Sequence, residues 1–278
     1  MTEAQAKRTP WRPPVGPLGA LTARAYAAVD LLRPSAAALE AAAAAAPVPT
    51  GFADALRRPE VAVIAELKKQ SPSKGAINAD MDVTARALDY VHAGASALSV
   101  LTESTRFGGS LDDLHAVRQA MLRATRPIGG APLLRKDFII DPRQIREAVQ
   151  WGADAILLIV AILDDRQLAD LLRLATESGL TALVEVHNER ELERALEAGA
   201  QLIGVNNRDL AIFRTDLGLS ERLIPQFPKT VIAVSESGIA TAADAARARA
   251  CGAHAVLVGE ALMRAPDTAA LIAAFRAA

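Results

Sequence analysis

Short apolar runs recur along this chain, and almost every one ends in charge. Val61-Ala62-Val63-Ile64-Ala65 is the first. Five apolar residues without alternation predict a strand buried on both faces, as in a parallel sheet. The run breaks into Glu66-Leu67-Lys68, and the two-residue period of a strand sends Ile64, Glu66 and Lys68 to one side. A carboxylate and an ammonium therefore meet at the strand's carboxyl end. Similar runs at 97–101, 132–135, 155–160, 181–186, 202–205, 231–235 and 255–258 bring the expected strands to eight. Helical patterns separate them, at about 82–93, 111–124, 142–151, 164–178, 188–198, 217–225, 241–251 and 267–276.

Four runs follow a Gly-Ala pair, at Gly94, Gly152, Gly199 and Gly252. Glycine there suits the left-handed residue that closes a helix before a strand. Each interval is about twice a βα unit, and one further run falls inside each. Eight alternating βα units predict an α/β chain closed as a (β/α)8 TIM barrel. An open doubly wound sheet is the alternative, but the GxGxxG turn it usually carries after its first strand is absent.

Before the first strand the pattern changes. Pro10, Pro13, Pro14 and Pro17 predict an irregular leader to about residue 20, which Trp11 would anchor. Leucine and alanine then favour helices from Leu21 to Ala46, interrupted near Pro34, and Pro47 to Pro59 forms a connection. The expected organisation is a leader and helical extension over 1–59 on a barrel over 60–278, as one structural domain.

The chain has 278 residues, 51% hydrophobic and 23% charged, with a formal net charge of −1. That balance disfavours nucleic acid as a partner. The lone cysteine, Cys251, excludes an intrachain disulfide and a cysteine-rich zinc site. No apolar segment is long enough to cross a bilayer and no signal-peptide pattern opens the chain, so a cytoplasmic protein without a membrane partner is expected.

In a barrel the chemistry belongs at the carboxyl ends of the strands. The first gives Glu66 and Lys68, then Ser71-Pro72-Ser73-Lys74-Gly75, a polar turn suited to an anion. The second leads into a loop, 104–110, whose Phe107 is placed to cover a ligand; the third ends at Lys136, between Arg135 and Asp137. The fourth ends blandly at Leu158-Ile159-Val160. Glu185 interrupts the fifth between valines, so it is either paired and buried or functional. His187 beside it reads as structural or helix-capping rather than metal-binding, because the histidines are scattered. The sixth ends in Asn206-Asn207-Arg208, the seventh in Glu236-Ser237-Gly238, the eighth in Gly259-Glu260. Loops after the last two strands often bind phosphate in such barrels. Any one of these residues has an ordinary surface explanation, but their recurrence at one end of nearly every strand does not.

Eight motifs, ELKKQSPSKG (66–75), LTESTRFGGS (101–110), LRKDFIID (134–141), ADAILLIVAIL (153–163), LVEVHNERELERAL (183–196), IGVNNRDL (203–210), SESGI (235–239) and LVGEALM (257–263), occur in an order that resembles the indole-3-glycerol phosphate synthases of tryptophan biosynthesis. The likeness runs from about Pro59 to Pro266. It implies ring closure of 1-(2-carboxyphenylamino)-1-deoxyribulose 5-phosphate with loss of carbon dioxide and water, without cofactor or metal. It also implies Lys136 as the acid at the keto oxygen, Glu185 as base, and Lys68 as second acid or carboxylate holder. Glu66 and Glu236 would orient the lysines and move their pKa values towards the working pH. By the same likeness Asn206, Arg208, Ser237, Phe107 and Leu210 bind substrate, and Ser71, Gly238, Gly259 and Glu260 bind its phosphate. Arg106 and Ile212 depart from the family pattern, as does the alanine- and proline-rich extension.

Other readings stay open at this point: a phosphoribosyl isomerase, a Schiff-base aldolase, or a barrel that serves as a scaffold without catalysis. Borohydride trapping on a lysine would mark the aldolase. Loss of the charged strand ends would mark the scaffold, and the main ones are present. The partner implied is a small phosphorylated molecule; oligomeric state is not fixed, a monomer being compatible.

Overall fold

In the computed structural model of the chain the described residues are 11–32, 35–46, 48–49, 51–71, 75–76, 78, 80–124, 130–209 and 214–278. Eight strands among them form one closed parallel barrel: β1 (Ala62–Leu67), β2 (Ala97–Leu101), β3 (Leu133–Lys136), β4 (Ala155–Ile159), β5 (Thr181–Val186), β6 (Leu202–Asn206), β7 (Ile232–Glu236) and β8 (Ala255–Val258). β1 pairs with β8 on one side and β2 on the other, which closes the ring. Every strand is buried almost throughout, as its unbroken apolar run requires.

The helices begin with α1 (Gly16–Leu32), α2 (Ala36–Ala45) and α3 (Phe52–Leu56) before the barrel. The outer layer is α4 (Val83–His92), α5 (Leu111–Arg123), α6 (Pro142–Gln150), α7 (Asp165–Glu177), α8 (Glu189–Glu197), α9 (Gly218–Leu223), α10 (Ala242–Ala250), α11 (Glu260–Arg264) and α12 (Thr268–Arg276). The repeated Gly-Ala pairs close helices as expected. Gly94, Gly152, Gly199 and Gly252 have φ of 98°, 85°, 87° and 103°. The following alanine amides reach back to the carbonyls of Tyr90, Ala148, Ala195 and Ala248, which satisfies the frayed end of each helix.

Two expectations about the extension change. The first helix starts at Gly16, inside the stretch assigned to the leader, because a proline is tolerated in a helix's first turn and Pro17 stands there. The connection after Pro47 holds a short helix, α3, whose Phe52 and Leu56 are fully buried. Trp11 does anchor the leader: its indole Nε1 donates to Ala161 O at 3.3 Å. α1 and α2 lie against α6 on the outside of the barrel, and Arg146 meets Glu40 at 3.0 Å. Among the described residues no helix is long and apolar enough to cross a membrane.

Candidate active site

Strand register sets which charges meet. Glu185 pairs with Gly204 and Asn206 with Glu236, so the register advances by two residues between Glu185 and Glu236, the stagger of tilted barrel strands, and the inward ends of β3, β5, β6 and β7 converge on one mouth of the barrel. A cavity of about 610 Å³ opens above them. Glu66, Lys68, Lys136, Glu185, Asn206 and Glu236 form its polar floor, while Leu157, Ile159, Phe107, Phe138, Leu18 and Leu21 supply apolar wall. The bland end of β4 is thus the wall's foundation, and α1 contributes part of the roof.

Lys136 Nζ stands 3.3 Å from Glu185 Oε2 and 3.4 Å from Glu236 Oε2. Across the floor Lys68 Nζ donates to Glu66 Oε1 at 2.5 Å. Burial by itself would strip charge from these groups, so pairing decides their state. Burial opposes the Lys136 ammonium, but Glu185, Glu236 and Glu66 outweigh it and hold its pKa above the ordinary lysine value. The expected tuning towards the working pH therefore runs the other way: the surrounding carboxylates secure the cation. Burial likewise opposes ionised Glu185, yet Lys136, His187 and Asn206 keep its carboxyl well below the usual range. Glu66 is held down by Lys68 and Lys136 against its burial.

Glu236 behaves differently. Neither of its oxygens accepts a hydrogen bond of good geometry. Burial and the nearby Glu185 and Glu66 push its pKa up to about 8, against the pull of Lys136. Of the two carboxyls beside Lys136, Glu185 is therefore the firmer anion and Glu236 the one more readily protonated.

The outward residues of β3 do structural work. Arg135 is buried, bonded to Glu147 at 2.7 Å and Asp137 at 3.1 Å, and donates to Gln144 O at 3.0 Å, tying α6 to the barrel. The loop after β2 folds around Glu103, whose carboxylate accepts the amides of Thr105, Arg106 and Phe107. That holds Phe107 over the cavity, 6.5 Å between centroids from Phe138.

A family profile described as "Indole-3-glycerol phosphate synthase" matches residues 21–275. The chain belongs to the indole-3-glycerol phosphate synthase family. A synthase of that name from Opitutus terrae is 59% identical over 236 residues, covering 84% of this chain and 88% of its own length. One from Roseiflexus is 55% identical over 235 residues, covering 83% and 86%. Among solved structures, 3-hexulose-6-phosphate synthase from Salmonella typhimurium superposes with a TM-score of 0.61 at 15% identity, over 78% of this chain and 97% of that one; this likeness concerns the fold alone.

Of the residues matched to the indole-3-glycerol phosphate synthase pattern, Glu66, Lys68, Phe107, Lys136, Glu185, Asn206, Arg208, Glu236, Ser237, Gly238, Gly259 and Glu260 all line the one cavity. Leu210 and the side chain of Ser71 lie outside the described residues. The sequence placed Asn207 at a strand end but assigned it no role. It is buried, and its Nδ2 donates to Ser235 Oγ at 3.0 Å, Glu236 O at 2.9 Å and Ser237 O at 3.1 Å. Its Oδ1 accepts the amide and hydroxyl of Ser220. Asn207 thereby pins the turn where Ser237 takes a φ of 66°, the one positive value outside glycine among the described residues. The signal available was an asparagine directly after a buried strand.

Proposed function

We propose that this cavity carries the synthase reaction with Lys136 as acid at the keto oxygen and Glu185 as base. The chain is an indole-3-glycerol phosphate synthase, a carboxy-lyase that turns 1-(2-carboxyphenylamino)-1-deoxyribulose 5-phosphate into indole-3-glycerol phosphate. The observation that carries the assignment of roles is Lys136 Nζ at 3.3 and 3.4 Å from two buried carboxylates, beneath an apolar-walled cavity.

The chemistry needs those parts. Attack of the carboxyl-bearing aromatic carbon on the keto carbon makes a carbon–carbon bond and puts negative charge on the keto oxygen, which a lysine ammonium neutralises by giving a proton. Breaking the bond to the carboxyl group releases carbon dioxide and returns its electron pair to the ring. The new hydroxyl then leaves as water with a proton from an acid, while a base removes a ring proton to complete the indole. Glu185, held ionised, suits the base, and Lys68, braced by Glu66, suits the second acid or a grip on the substrate carboxylate. Asn206, Arg208, Ser237, Phe107 and Leu210 are read as substrate-binding residues, and Ser71, Gly238, Gly259 and Glu260 as the phosphate end.

The test is incubation of the purified chain with the carboxyphenylamino-deoxyribulose phosphate while indole fluorescence is followed. Wild type should turn over. Lys136→Ala and Glu185→Gln should each lower kcat by at least about 100-fold, in the range lost with an essential acid or base. Near-wild-type turnover in either, with circular dichroism unchanged, sinks the assignment.

A further inference from the structure

We propose that His187 is a positioning residue that clamps one oxygen of Glu185, leaving the other for Lys136 and the substrate. The inference rests on Glu185 being the base. His187 follows β5 directly and precedes α8, so its ring lies between a strand-end carboxylate and the first turn of a helix. Its Nε2 stands 3.3 Å from Glu185 Oε1, and its Nδ1 stands 3.0 Å from Glu191 Oε2. Glu191 is itself fixed, since its Oε2 accepts the His187 amide at 2.8 Å and its Oε1 accepts Asn188 Nδ2 at 2.8 Å. The two Glu185 oxygens are thus divided, Oε1 towards the imidazole and Oε2 towards Lys136.

Nε2 is buried and stands at ion-pair distance from Oε1. An ion pair needs a charged ring. Burial pushes the imidazole towards neutrality, but Glu185 and Glu191 outweigh it and push its pKa up to about 10. The groups facing the pair are Glu185 on β5, Glu191 on α8, Lys136 on β3, Asn206 on β6 and Glu236 on β7. His187 also lines a second cavity, bordered by Arg208, Asp209, Arg214, Asp216 and Arg222. Of all these, only the two glutamates touch the imidazole at ion-pair distance among the described residues. A salt bridge to a buried base does two things. It fixes the carboxylate's rotation, and it adds a second cation that keeps the carboxylate deprotonated.

The test compares kcat and KM across pH for wild type, His187→Ala and His187→Gln. Removing the ring should lower kcat about 10- to 100-fold, the scale seen when the partner that orients a reacting group is lost, with KM changed less than about threefold. It should also move the acid limb of the kcat/KM profile upward, because Glu185 loses a cation. His187→Gln keeps a donor without the charge, so it should recover part of kcat but not the position of the limb. It also carries the test if alanine does not fold. Wild-type kcat with an unmoved limb overturns the proposal, and so does an equal loss in both variants without a shift. If Glu185→Gln is dead while the His187 variants behave as wild type, the clamp alone fails. If Glu185→Gln is active, it is the base assignment that fails.

Discussion

At position 204 a methyl group would overlap the carboxylate of Glu236, which lies across the backbone of the neighbouring strand. Gly259 has the same relation to the other charged pair, where a Cβ would come within 2.5 Å of Glu66 Oε1 and 3.1 Å of Lys68 Nζ. The floor of the site thus depends on two residues that bring no side chain to it. Gly204→Ala is expected to cost about 1–3 kcal/mol by overpacking and to swing Glu236 away from Lys136. Urea unfolding would read the first effect and kcat the second; unchanged values of both would mean that the carboxylate moves aside freely. The charged residues of the floor were legible in the sequence because each interrupts an apolar run, as Glu185 does between Val184 and Val186. Gly204, Asn207 and the clamp of His187 were not. Their roles are made across strands or between strand and helix, and nothing in the local pattern reports what a neighbouring strand presents.

Among the elements, α1 ties the leader to chemistry. Leu18 and Leu21 wall the cavity, while Thr22, Ala25 and Val29 face the interior and Trp11 fixes the chain before it. We read residues 1–59 as an extension of the barrel that helps close the site, with one structural domain overall. Trp11→Ala removes a hydrogen bond to Ala161, worth about 0.5–1.5 kcal/mol, so KM should rise roughly two- to tenfold with kcat nearly unchanged. Steady-state kinetics decides it, and an unaltered KM would separate the leader from substrate binding. Periodicity located the long helices within a residue or two, since their apolar stripes are set by the sheet they cover. It did not give α11, only five residues long, nor the start of α1, because a proline inside a first turn reads locally like a proline outside a helix.

For the molecule as a whole, the buried charges set a pH window. His187, raised from 6.5 to about 10, stabilises the native state fully below pH 6.5 and loses that contribution as pH rises through 10. Glu236, raised from 4.5 to about 8, acts in the same direction between those values, because the folded protein holds its proton more tightly. Glu66 and Glu185, lowered from 4.5, contribute above that pH and lose their contribution only on acidification. Tm should therefore peak near pH 4.5 and fall from there towards pH 10, with His187→Gln flattening the part of the fall above pH 6.5. Calorimetry across that range checks it, and a Tm rising towards pH 10 would show that other groups dominate.

The closure of the barrel also orders events in time. β1 bears Glu66 and Lys68, yet one of its edges is completed only by β8, through pairs such as Ala62 with Ala255 and Ile64 with Leu257. A chain leaving the ribosome therefore exposes an unpaired apolar strand from its first quarter until its last strand emerges. Leu257 and Val258 of that last strand both end this exposure and line the cavity. Full catalytic competence and protection from edge-to-edge association therefore arrive together, in a single late step.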